Sequence, residues 1–239
     1  MLIDKQEKIL IYLLEKEGTG TFTVPQGIRR IADNVFSDCD YSSILLPDSL
    51  VEIGAHAFLN CRKLTEIVIP EHVTYIGDQA FYGCNRLKSI TIPDSVDWIG
   101  AGVFGSNESL TDVILSPDHP NYVMMDRLLV DKRDMCIVAA LNDIPDQYEI
   151  PEGIQEIGMM GFQGCGDLAK LVLPDGLTKI GNDAFSGCFR LIQITLPASV
   201  NEIGYEAFVY SHDLHIHAPA GSWAHQYAEE NGYRFEAVD

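Results

Sequence analysis

Apolar residues return to the same places along this chain every 23 positions. The pattern is clearest in Val51–Val73 and Thr74–Val96, which share the phrase Ile-Gly-x-x-Ala-Phe-x-x-Cys-x-x-Leu-x-x-Ile-x-Ile-Pro-x-x-Val. In one copy, Ile67 and Ile69 lie two apart and so share the inward side of a short strand, while Thr65, Glu66 and Val68 face outward or sideways. Pro70 ends that strand because it has no N–H for a neighbouring ladder, and Pro47, Pro93, Pro174 and Pro197 repeat it. Val73 and Ile76 then turn inward again, and Gly77 bends the chain where a side chain would be crowded or φ positive. Asp78, like Asp33 and Asn182, stands where an N-cap would open a one-to-two-turn helix burying Ala80, Phe81 and Cys84. Gly83, Gly164, Gly187 and Asn60 fall where a left-handed residue closes it.

The landmark phenylalanines are Phe36, Phe58, Phe81, Phe104, Phe162, Phe185 and Phe208, which predicts seven coils. A unit this short cannot bury its own apolar face, so the copies must stack into a solenoid with a shared core. The expected fold is an α/β repeat solenoid with short parallel strands. A different segment, Ser116–Ile154, interrupts the coils, and its later half resembles the start of the chain. Leu129-Val130-Asp131-Lys132 matches Leu2-Ile3-Asp4-Lys5, and Pro151-Glu152-Gly153-Ile154 matches Pro25-Gln26-Gly27-Ile28. The chain reads as a tandem of two larger units, each an island of two strands followed by coils. The expected division of one array over 1–239 is an island at 1–27, coils at 28–115, an island at 116–153, coils at 154–217 and a cap at 218–239. In the cap, Ser222 is the N-cap of a helix, Trp223 and Tyr227 stack at i and i+4, and Asn231-Gly232 stops it.

Charge narrows the partners. The net charge is −19. Nucleic acid and anionic lipid require clustered Lys and Arg, which this composition does not favour. No run of about 18 apolar residues is present to insert in a membrane. The N-terminus lacks the order of a secretory signal, and Met1 falls partway into an island, which predicts that upstream sequence has been removed.

Five of six cysteines, Cys39, Cys61, Cys84, Cys165 and Cys188, occupy one column three residues after the phenylalanine, with Asn107 and Ser211 filling it elsewhere. They repeat by structural register, without CxxC or Cys/His spacing, and are expected to be buried thiols. Parallel inward-pointing thiols are poorly directed for disulfides. In Ser211-His212-Asp213-Leu214-His215-Ile216-His217, His215 and His217 share one strand face and are weak metal candidates; exposed strand histidines are the plainer reading. No catalytic or phosphate-binding motif is present, the acidic residues lack calcium-loop spacing, and no cofactor is expected.

These residues resemble the BspA-like leucine-rich repeats, the Treponema pallidum type. The resemblance rests on Ile76-Gly77-Asp78-Gln79-Ala80-Phe81-Tyr82-Gly83-Cys84 followed by Leu87, Ile90, Ile92-Pro93 and Val96, and it covers nearly the whole chain. The island from Asp118-His119-Pro120-Asn121-Tyr122 to Leu129 and the ending from Gly221 to Ala228 also look like that family's. The column where ordinary leucine-rich repeats stack Asn holds Ser49, His72, Ser95, Gly176 and Ser199. The resemblance implies a non-enzymatic bacterial protein, surface-exposed or secreted, adhering to a host-cell or extracellular-matrix protein. The alternative is an intracellular scaffold or spacer, consistent with unpaired thiols and no export signal.

The strand face is the expected contact surface. One outward column is Ser43, Glu66, Ser89, Asp112, Lys170 and Gln193; its neighbour is Leu45, Val68, Thr91, Ile114, Val172 and Thr195. The second column is apolar for a solvated ridge and suits the floor of a protein-binding face, although β-branched residues are favoured in strands whatever their use. Tyr75 and Trp98 are secondary anchors. Oligomeric state is left open.

Overall fold

The computed structural model describes residues 1–18, 20–211 and 213–238, and the chain packs as two compact units, Met1–Met124 and Met125–Asp239. The first unit opens with an antiparallel hairpin, Leu2–Asp4 against Ile9–Tyr12. Ile9–Tyr12 also begins a parallel sheet that continues through Arg30–Ile31, Glu52–Ile53, Tyr75–Ile76 and Trp98–Ile99. Its register lines up Ile31, Ile53, Ile76 and Ile99, all buried. Parallel strands also form at Thr21–Thr23, Ser43–Leu45 and Glu66–Ile67, and Ser89–Thr91 pairs with Asp112–Ile114. A coil therefore crosses two sheets and returns through a corner.

The strands ending at the prolines are the predicted ones, with Ile67 and Ile69 buried and Val68 outward. The strands at Glu52–Ile53 and its equivalents are an addition: they are two residues long, too short for any alternation to mark them. Gly77 follows one of them because of crowding. A Cβ there would stand 2.5 Å from the Ala55 backbone nitrogen and 2.7 Å from the Gly54 carbonyl carbon, with Gly54 and Gly100 equally close to the preceding coil.

The corner corrects the sequence reading. Where a short helix was expected, the chain makes successive tight turns. Ala57 N–H bonds Gly54 C=O (3.3 Å), Leu59 bonds His56 (3.1 Å) and Cys61 bonds Phe58 (3.2 Å), each three residues back. The N–H groups between them point to the following coil: His56 to Asp78 C=O (2.8 Å), Phe58 to Ala80 (2.8 Å) and Asn60 to Tyr82 (2.7 Å). This alternation needs left-handed residues four apart, at φ +56° for His56 and +55° for Asn60, repeated at Gln79 (+51°) and Gly83 (+70°). The residues expected as N-caps serve the neighbouring coil: Asp33 Oδ1 accepts from Ala55 N–H (3.0 Å), Asp78 Oδ1 from Ala101 (2.9 Å) and, in the second unit, Asn182 Oδ1 from Tyr205 (2.8 Å).

Inside, Phe36, Phe58 and Phe81 stack one per coil, at centroid distances of 5.3 and 5.1 Å and interplanar angles of 8° and 4°. Such pairs add about 0.5–1.5 kcal/mol each beyond the area they bury. The next column makes one recurrent contact: Cys61, Cys84 and Asn107 each donate to the carbonyl of a phenylalanine one coil back, Phe36, Phe58 and Phe81. The column therefore holds a small donor. The serines that replace the expected Asn form their own ladder, Ser49 Oγ donating to Ile28 C=O (2.7 Å) and Ser95 Oγ to Val73 C=O (2.6 Å).

The second unit repeats the plan. Leu128–Asp131 and Cys136–Ala140 form its antiparallel hairpin, and Glu156–Ile157, Lys179–Ile180 and Glu202–Ile203 extend the sheet in parallel. The other sheet runs Gln147–Glu149, Lys170–Val172, Gln193–Thr195, His215–Pro219 and Arg234–Val238. Ser222 caps the helix Trp223–Asn231 by accepting from His225 N–H, and Gly232 closes it at φ +74°. Trp223 and Tyr227 stack as predicted, 5.5 Å and 19° apart. Tyr227 and Tyr233 both meet Phe208 at centroid distances of 6.4 and 6.0 Å, so the segment covers the last landmark phenylalanine. The strand after this helix was not predicted.

Candidate protein-binding surface

In the first unit, Leu45 and Val68 follow the paired Ile44 and Ile67, Thr91 pairs in register with Ile114, and the 23-residue period places the four one per coil. Leu45 is 52% exposed, Val68 76% and Ile114 50%, and Thr91 is exposed as well. Each alternates with a buried isoleucine or valine, which fixes its outward direction. Glu66, Ser89 and Asp112 are exposed in the neighbouring column. Ser43 departs from expectation at 8% exposure: its short side chain lies in register between Thr21 and the longer Glu66. A cavity of about 250 Å³ opens on this face, with Leu45, Val68, Asp48, Glu66 and Pro70 in its lining.

Tyr75 and Trp98 lie on the other sheet, adjacent in register, 38% and 51% exposed. Glu52 precedes them in the same row and pairs with Arg30 at 3.2 Å. Burial, and then the carboxylates of Asp78, Glu52 and Asp33, push the Tyr75 phenol above its ordinary value. The predicted anchors thus occupy two faces: the ridge residues lie on or beside the short strands at Ser43–Leu45, Glu66–Ile67, Ser89–Thr91 and Asp112–Ile114, and the aromatic pair belongs to the other sheet.

In the second unit, Lys170, Gln193, His215 and Arg234 align in one column and Val172, Thr195, His217 and Glu236 in the next. Lys170 and Val172 are exposed, and Gln193 and Thr195 half-buried. Arg234 Nη1 donates to His215 Nε2 at 3.0 Å, and His217 Nδ1 lies 3.8 Å from a Glu236 carboxylate oxygen. An open cavity of about 460 Å³ lies over these groups. The two histidines share a face as predicted, but each has a different neighbour. Among the described residues no group of three His, Cys, Asp or Glu is placed to hold a metal ion; His212 lies outside them.

All six cysteines are free, and the five in the column are buried. Cys39 and Cys61 sulfurs are 3.0 Å apart, closer than their expected directions implied. Their shared hydrogen bond, and then burial, push the Cys39 thiol far above its ordinary value, and burial pushes Cys188 up to about 12. Thiols held protonated in this way are poor nucleophiles and poor metal ligands.

The BspA type leucine rich repeat region matches in six copies, over residues 8–122 and 144–221. The chain belongs to the BspA-type leucine-rich repeat family. Its solenoid coils are also those of solved structures. The pneumococcal vaccine antigen PcpA is similar with a TM-score of 0.70 at 22% identity, over 83% of this chain and 62% of its own. A leucine-rich repeat protein from Eubacterium ventriosum gives 0.66 at 22% identity, over 84% of this chain and 60% of its own. The chain thus spans about three fifths of the length of each. At this identity the likeness shows the fold alone. No curated protein matches the chain. Leucine-rich repeat proteins generally are protein-interaction modules, and no helix among the described residues is long and apolar enough to cross a membrane.

Proposed function

We propose that this BspA-type protein is a non-catalytic adhesion module, displayed at the cell surface or secreted, that engages a host or extracellular protein through the strand face of its coils. The observation that carries the reading is the exposed aliphatic line Leu45, Val68 and Ile114, completed by Thr91. Packing within the first unit does not cover these side chains. Rigid aliphatic groups surrounded by polar neighbours are what a protein interface desolvates, and a few such anchors carry most of its energy.

The test is a binding screen on immobilised extracellular-matrix proteins and host cells, with Val68→Glu, Thr91→Lys and Ile114→Glu combined. The expected result is abolished binding with a melting temperature nearly unchanged, since none of the three is buried. Retained affinity refutes the reading. Digestion of intact cells with a non-penetrating protease is expected to release peptides without lysis.

A second reading, an intracellular interaction scaffold or spacer, is favoured by the six free cysteines, which suit a reducing compartment. Peptides recovered only after lysis would decide for it.

A further inference from the structure

The charges beside the ridge define its occupant more narrowly. Three of the first unit's strands run into a proline, Pro47, Pro70 and Pro93, and the residues after them are Asp48, Glu71 and Asp94, all exposed. The 23-residue period places these carboxylates one coil apart, about 4.8 Å from each other at the backbone, along the edge next to Leu45, Val68 and Thr91. Asp48 lines the cavity that also contains Leu45 and Val68. Like charges in register repel, and a cation laid along the row relieves that repulsion. The opposite edge differs: Arg62, Lys63, Arg86 and Lys88 are exposed before the strands, with Lys63 paired to Asp40 at 2.9 Å. The face is therefore apolar in the middle, acidic along the proline edge and basic along the other.

We propose that the occupant of this face is a cationic amphipathic segment of a partner protein, its aliphatic side chains seated on the ridge and its Lys or Arg side chains along Asp48, Glu71 and Asp94. The inference rests on the strand face being the binding face and adds the chemistry and orientation of what binds. A partner segment of the opposite pattern would set its acids against the row.

The experiment uses the full chain and three labelled synthetic peptides of equal length: alternating Leu-Lys, alternating Leu-Glu and alternating Ser-Lys. Binding is followed by fluorescence anisotropy at two salt concentrations. The Leu-Lys peptide is expected to bind, more weakly at high salt because screening shortens the reach of surface charges to about 8 Å at 0.15 M. Combined Asp48→Lys, Glu71→Lys and Asp94→Lys is expected to weaken it roughly tenfold or more, as loss of three rim charges does. The control makes an equal change in net charge elsewhere, Glu7→Lys, Glu206→Lys and Glu230→Lys, all exposed and away from the post-proline positions, and is expected to leave affinity within about threefold. An equal loss in the control overturns the proposal, because the attraction then belongs to the net charge. Equal binding of Leu-Glu, or equal binding of Ser-Lys, also overturns it. If the ridge variant abolishes binding to a matrix or host protein while Leu-Lys fails to bind, the cationic occupant is wrong and the strand-face reading survives.

Discussion

Gly77→Ala puts one methyl group where the coils come closest. The added Cβ would lie 2.5 Å from Ala55 N, 2.7 Å from Gly54 C and 2.8 Å from Ala55 Cα, all backbone atoms that no rotamer change can move. Restoring ordinary contact requires the two coils to separate locally by about an ångström, which strains the Gly77 N–H bond to Ile53 C=O (2.9 Å). Overpacking costs about 1–3 kcal/mol, and a hydrogen bond weakened beside it about 1 more, so a loss of about 3 kcal/mol is expected. Trp98 is in the first unit and Trp223 in the second, and the chain has no other tryptophan, so a Trp223→Phe background makes fluorescence report the first unit. With a urea slope of about 2 kcal/mol/M, the midpoint should fall by about 1.5 M. Gly27→Ala, in the same unit, is the comparison: it has open space around it and costs only the left-handed backbone at φ +86°, about 1–2 kcal/mol. A Gly77→Ala midpoint within about 0.3 M of the parent would refute the crowding argument.

Phe58→Ala removes the middle ring of the stack and should cost about 4 kcal/mol or more, read as loss of the first unit's transition before the second's. Asn107 Oδ1 is buried without a hydrogen-bond partner, so Asn107→Cys, which keeps a donor toward Phe81 C=O, should raise stability by about 1 kcal/mol, whereas a lower melting temperature would contradict the donor-column reading. The Cys188 thiol, held protonated by burial up to about 12, ionises near its ordinary value of 9.0 once unfolded. The unfolded chain then binds fewer protons, so stability should decline as pH rises from about 9 to about 12, by up to roughly 1.4 kcal/mol per pH unit for this one thiol, and Cys188→Ala should flatten that decline.

Much of the array was legible because its signals are long. Seven phenylalanines in register, a proline after five of the predicted strands and the doubled island all exceed chance, and Ser222 with Gly232 marked the helix from its caps alone. What escaped was shorter than a period. Glu52–Ile53 and Tyr75–Ile76 are strands only because a neighbouring coil pairs with them, so Tyr75 and Trp98 could be picked out as unusual without being placed on a sheet. The corner was read as a helix because Ala80, Phe81 and Cys84 have helical spacing. Its turns depend on positive φ at His56, Gln79 and Asp183, residue types that do not announce it. Asp78 was recognised as a cap, but the backbone it serves is 23 residues away. The ridge was visible column by column; the acidic edge beside it emerged only when the coils were stacked.

The corner has an electrical consequence. The peptide group before Asn34 gives its N–H to Ala55 C=O, the same peptide group gives the His56 N–H to Asp78 C=O, and that one gives the Gln79 N–H to Ala101 C=O. Parallel chains run through Phe36, Phe58 and Phe81 and through Asp38, Asn60 and Gly83. Three wires of aligned amides therefore run through the first unit perpendicular to the backbone that supplies them. Each polarises the next as in a helix, but the links join residues 21 or 22 apart in sequence. Because every N–H points toward the later coil, the positive end of this composite dipole lies at the C-terminal coil, the reverse of an α-helix. An inserted coil of the same corner geometry lengthens the dipole, and a coil whose corner cannot adopt the two left-handed residues cuts it.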